Sequence, residues 1–105
     1  MEFHDHCLNI HYSLPAETWG KIAKLYEDMP HWNGFKNGIP QWYGQEYGDK
    51  LIEASVEPGG LQLSARLPQE EWEHWFKLFK SKASELLGYK IGEPQDGFNS
   101  PDNKF

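Results

Sequence analysis

The sequence predicts an α+β domain, specifically a ferredoxin-like βαββαβ sandwich with an antiparallel sheet and two helices on one face. Three observations predict it. Alternating apolar segments bracket an apparent β-hairpin, two amphipathic segments have helical spacing, and the junction between strand and helix is written twice. Leu14-Pro15-Ala16-Glu17-Thr18-Trp19 matches Leu67-Pro68-Gln69-Glu70-Glu71-Trp72, an offset of 53 residues. At the same offset Ile22 meets Trp75, Leu25 meets Leu78 and Tyr26 meets Phe79. A fold with internal pseudo-twofold symmetry should repeat its strand-to-helix corner in this way.

Taken in order, residues 6–14 alternate, with Leu8, Ile10, Tyr12 and Leu14 on one face, as a half-buried strand requires. Pro15 opens a helix over about 15–29, where its missing N–H leaves no bond unmade. Trp19, Ile22, Ala23, Tyr26 and Met29 recur on its apolar side, and Pro30 ends it. Residues 50–57 and 61–67 alternate around Pro58-Gly59-Gly60, a turn signal, and form the expected hairpin. Pro68 opens a second helix over 68–87, with a stripe of Trp72, Phe76, Phe79, Ala83 and Leu86. Glu70, Glu71 and Glu73 early in it, and Lys77, Lys80 and Lys82 later, complement the helix dipole. Gly88 is the expected C-cap, and Tyr89-Lys90-Ile91 the expected last strand.

At 105 residues the chain is one domain, with a core over about 6–92 and an irregular tail over 93–105. Five Trp, five Tyr and six Phe make that core largely aromatic and leave rings over for a surface. The net charge of −6 disfavours nucleic acid and anionic membranes and favours basic proteins. Cys7 is the single cysteine, so no internal disulfide forms, as in a reducing compartment. Met1-Glu2-Phe3-His4-Asp5-His6 is unlike a signal peptide, and no apolar run spans a bilayer, so the expectation is a cytoplasmic protein without membrane contact.

Chemical motifs are sparse. His4 and His6 share a strand face and could offer two metal ligands, but zinc needs more; the expectation is no metal and no cofactor. His31 and His74 lack a Ser or Cys nucleophile in a recognisable elbow, so no catalytic residue is assigned and the chain is not expected to be an enzyme. Gly34, Gly38, Gly44 and Gly48 form no phosphate loop. The segment 31–49 shows no period, yet holds two Trp, two Tyr and one Phe. A long connection of this kind is commonly functional, and Trp and Tyr anchor protein interfaces. The expected partner-binding residues are Trp32, Phe35, Trp42, Tyr43, Glu46, Tyr47 and Asp49, with Glu93 and Asp96 as a second patch. A sugar- or small-molecule-binding platform on the same aromatics is the alternative.

Trp42-Tyr43-Gly44, the Leu67-Pro68-x-Glu70-x-Trp72 helix start and the closing Gly88-Tyr89-x-Ile91-Gly92-Glu93-Pro94-x-Asp96-Gly97-Phe98 resemble small bacterial immunity proteins of contact-dependent growth inhibition and related polymorphic toxin systems. The resemblance covers residues 8–98 and is one of style. It implies a cytoplasmic protein that binds one cognate toxin domain, in many cases a nuclease with a basic cleft, and blocks it. It carries no individual residue role.

Overall fold

The hairpin that the sequence marks most strongly lies at the centre of the sheet. In the computed structural model, which describes residues 2–44 and 48–92, β4 (Leu51–Glu57) and β5 (Gly60–Leu67) pair antiparallel from Glu57↔Gly60 to Leu51↔Arg66. Around them stand β1 (Glu2–Leu8), β2 (Trp32–Lys36) and β3 (Ile39–Tyr43), with helices α1 (Ala16–Asp28) and α2 (Gln69–Leu87). The five strands are antiparallel in the order β1-β5-β4-β3-β2. The chain is thus α+β with an antiparallel sheet and two helices.

The βαββαβ order is corrected at three places. First, the segment 31–49 is not structureless, because β2 and β3 form a second hairpin within it. Its loop is Asn37-Gly38, with φ of 55° and 81°, flanked by the pair Lys36↔Ile39. Two residues at positive φ match the twist of the strands they join, and Asn-Gly is the dipeptide that adopts this turn most readily. A bulge between Trp32 and Phe35, with Gly34 at φ 87°, hid the alternation.

Second, the first strand is Glu2–Leu8 rather than 6–14. Its inward residues are Glu2, His4, His6 and Leu8, opposite Leu67, Ala65, Leu63 and Leu61. Three of the four are polar, so no apolar alternation announces them. His4 and His6 nevertheless lie as flat rings on Trp72, with centroids 5.2 and 5.7 Å away. Beyond Leu8 the chain turns on local bonds, Ile10 N–H to the Leu8 carbonyl at 2.8 Å and Leu14 N–H to the His11 carbonyl at 3.3 Å.

Third, Tyr89-Lys90-Ile91 is not a strand but a strap pinned by buried Asn9. The Asn9 amide donates to the Lys90 carbonyl at 3.0 Å and accepts from Gly92 N–H at 2.8 Å. Asn9 N–H donates to the Gly92 carbonyl at 2.9 Å, and the Tyr89 hydroxyl donates to the Asn9 carbonyl at 2.8 Å. Burial raises the Tyr89 pKa, which keeps the phenol a donor. The strap delivers Ile91 to the core at 3% exposure. Asn9→Ala strips two of these bonds and leaves the part-buried Lys90 carbonyl and Gly92 N–H without their side-chain partner. We expect a loss of about 2–4 kcal/mol in urea unfolding, with Asn9→Asp recovering only part of it.

The repeated Leu-Pro corner is real at the local level. Pro15 and Pro68 cap their helices at φ −56°, ψ 150° and φ −57°, ψ 146°. Each offers its carbonyl to the tryptophan four residues on, Trp19 at 3.1 Å and Trp72 at 3.0 Å. The echoed pair Tyr26 and Phe79 stack on one another across the helices, with centroids 6.3 Å apart. α2 ends at Gly88, whose φ of 81° suits a residue without Cβ.

Both helices cover the sheet face that bears Leu61, Leu63, Leu67, Ile52 and Trp42, all fully buried. The opposite face carries Phe3, Asp5, Gln62, Ser64, Arg66 and Glu53. No helix among the described residues is long and apolar enough to cross a membrane.

Candidate functional site

The bonds that shape the most distinctive cleft come from three element ends that meet. α1 ends at Met29-Pro30, β3 ends at Tyr43 and α2 begins after Pro68. Trp75 on α2 donates from Nε1 to the Pro30 carbonyl at 3.2 Å, tying the α1–β2 corner to α2. His31 follows at φ 68°, and Tyr43, also at φ 68°, donates its N–H to the His31 carbonyl at 2.8 Å. Their rings stack with centroids 4.2 Å apart. Left-handed backbone at two non-glycine residues costs roughly 1–2 kcal/mol each, so the surrounding contacts hold them there.

Between these ends opens a cleft of about 590 Å³. One wall is the stacked pair His31 and Tyr43 with Pro30; the other is α2, through Glu70, Glu71, His74, Trp75 and Leu78. Glu70 is exposed, and Glu71 receives Lys50 Nζ at 2.9 Å. The carboxylates of the first turn of α2 thus stand beside an aromatic wall, Glu70 exposed and Glu71 already paired with Lys50. Charge-assisted acceptors beside ring faces suit a cation, through ion pairing and cation–π attraction. The cleft brings together His31, His74, Glu70 and Glu71, which sequence spacing could not; none of its described lining residues is a Ser or Cys. Among the described residues no three His, Cys, Asp or Glu side chains are placed to hold a metal ion. His4 and His6 do share a face, but that face looks onto Trp72, and His4 Nε2 bonds the Leu67 carbonyl at 2.9 Å.

The expected binding residues divide by burial. Trp42 is 0% exposed and donates from Nε1 to the Tyr26 carbonyl at 2.9 Å, and Tyr43 is 6% exposed. Both leave the set that could anchor a partner from a surface, although Tyr43 walls the cleft. A sugar platform built on these two rings loses them for the same reason. Trp32 is half-buried against Tyr26 and Trp42, Phe35 is 50% exposed beside it, and Asp49 is exposed. Glu46, Tyr47, Glu93 and Asp96 lie outside the described residues. Sequence reasoning missed Glu70, Glu71, His74 and Trp75 as neighbours of His31; the only available signal was Pro30, which places the end of α1.

Fold and cleft together define a small α+β sandwich with an acidic, aromatic-walled cleft at one end of its sheet. Comparison with protein-family models, curated proteins and solved structures finds no match to this chain.

Proposed function

We propose that this chain is an immunity protein, a cytoplasmic binder that neutralises a cognate toxin domain by receiving a basic side chain of the toxin in the cleft between α2 and the His31–Tyr43 pair. The observation that carries the reading is the placement of Glu70 and Glu71 against an aromatic wall on a chain of net charge −6. An acidic body steers a basic nuclease cleft toward itself, and rings that desolvate the ion pair slow its departure. Exposed Phe35 and half-buried Trp32, on edge strand β2, extend the apolar part of the contact.

The test is co-purification with the product of the gene adjacent to this chain's own, followed by association kinetics. Glu70→Lys with Glu71→Lys should slow association by about tenfold or more at low salt and flatten its salt dependence. Glu17→Lys on α1, outside the cleft, should change the rate far less. Equal effects at both places, or an adjacent product that is neither toxic nor bound, would sink the reading.

A further inference from the structure

Arg66 and Glu53 carry opposite charges on neighbouring strands of the open sheet face, and they do not pair. Arg66 on β5 is opposite Leu51 on β4, and Glu53 on β4 is opposite Ser64 on β5, so the two charges are diagonal neighbours. Such positions are roughly 7–8 Å apart, within reach of long side chains. Here each side chain is drawn the other way. Phe3 on β1 is directly opposite Arg66 on its far side, and the guanidinium lies over the Phe3 ring, 5.2 Å from its centroid. Gln41 on β3 is directly opposite Glu53 on its far side, and donates from Nε2 to Glu53 Oε2 at 2.6 Å. Neither Glu53 nor Arg66 is in an ion pair among the described residues.

The gap between them is a cavity of about 120 Å³, lined by Phe3, Leu51, Glu53, Ser64, Ala65 and Arg66. It opens to solvent past Phe3, which is 78% exposed, and past Ser64 and Arg66, which are exposed too. A cavity of about 150 Å³ holds one benzene molecule, so the part of a guest that sits here is smaller still. The two poles narrow its chemistry further. A lone anion drawn to Arg66 meets the Glu53 carboxylate, and a lone cation drawn to Glu53 meets the guanidinium. A guest with an ammonium at one end and a carboxylate at the other answers both, through the guanidinium fork and the Glu53 oxygen that Gln41 does not take.

We infer that this socket, between Glu53 and Arg66 on the open face of the sheet, binds a free α-amino acid as its zwitterion. The ammonium, Cα and carboxylate occupy the gap, and the side chain points to solvent. The site is separate from the proposed toxin-binding cleft and does not depend on it. Gln41 and Phe3 act as positioning residues, because they keep the two charges from closing on each other.

The test is a titration of the whole chain with L-alanine at low ionic strength and neutral pH, read by amide chemical shifts. Saturable shifts should concentrate at Phe3, Glu53, Ser64 and Arg66. N-acetylalanine lacks the ammonium and alaninamide lacks the carboxylate, so each should bind about tenfold more weakly or worse. Glu53→Gln and Arg66→Gln should cause losses of the same size, whereas Lys82→Gln, in the groove between the helices, should leave binding unchanged. Glu53→Gln keeps the side-chain shape, so it carries the test if Arg66→Gln fails to fold. Gln41→Ala frees Glu53 to reach Arg66 and should weaken binding severalfold, although Gln41 is not among the described lining residues. Shifts that never saturate, either blocked analogue binding as tightly as alanine, or binding unmoved by the Glu53 and Arg66 variants would overturn the inference.

Discussion

Replacing Trp42 with alanine should lower the unfolding free energy by about 3–5 kcal/mol, a large share of the stability of a domain this size. Trp42 is fully buried and meets four aromatic neighbours: Tyr26 at 5.4 Å, Trp32 at 5.5 Å, Trp75 at 4.9 Å and Phe79 at 6.5 Å between ring centroids. Those rings belong to α1, β2 and α2, so a cavity at Trp42 loosens both helices and the second hairpin together. The truncation also removes the indole N–H that donates to the Tyr26 carbonyl at 2.9 Å, leaving that carbonyl only the Met29 N–H at 3.2 Å. Trp42→Phe refills most of the volume without restoring that bond, and should cost roughly half as much. Urea titrations followed by circular dichroism decide it. A loss below about 1 kcal/mol for the alanine variant would show that Trp42 is not the centre of the core.

Gly60→Ala should be comparably severe, although the change is one methyl group. Gly60 begins β5 at φ 131°, a conformation that side chains rarely adopt. A Cβ there would fall 2.1 Å from the Leu8 carbonyl oxygen and 3.2 Å from the Cys7 sulfur. The obstruction is backbone, so no rotamer change relieves it, and β1 must move away from β5. We expect a loss of about 3 kcal/mol or more from combined steric and dihedral strain. Gly59→Ala is the control, since its Cβ would come no nearer than 3.8 Å to the Cys7 sulfur. Similar melting temperatures for the two variants would contradict this account.

Legibility in the sequence followed the physics of each element. The helices and the β4–β5 hairpin were readable to within a residue or two, because each buries one face of an uninterrupted repeat. The β2–β3 hairpin was obscured by a bulge at Gly34 and by aromatic residues on both sides of the strands. Asn37-Gly38 was the local signal for it, and its turn chemistry is unambiguous once the flanking residues are paired. β1 escaped because its inward face is Glu2, His4 and His6, residues that pattern rules count as outward. The fourth strand failed at Asn9, whose side chain takes the place of a ladder partner for Lys90 and Gly92.

The candidate cleft was less legible than the fold. A segment without period gives no face to assign, so the sequence offers Trp42 and Tyr43 as surface anchors, whereas the pairing Trp42↔Ile52 turns the Trp42 ring inward. The proximity of His31 to Glu70 and Glu71 depends on how the end of α1 packs against α2. That packing is set by Trp75 and Pro30, which are 45 residues apart in sequence. The doubled Leu-Pro motif described two local corners faithfully, but local likeness does not fix strand order.

Four of the five tryptophans form a relay of neighbouring rings, Trp32 to Trp42 at 5.5 Å, Trp42 to Trp75 at 4.9 Å and Trp75 to Trp72 at 5.9 Å. At such separations their electronic transition dipoles mix. The native chain is therefore expected to show an exciton couplet in the ultraviolet, overlapping the peptide bands and distorting any helix content read from them. The same coupling should pass excitation along the relay, so its emission reports the lowest-energy of those four indoles, while Trp19, outside the relay, contributes on its own.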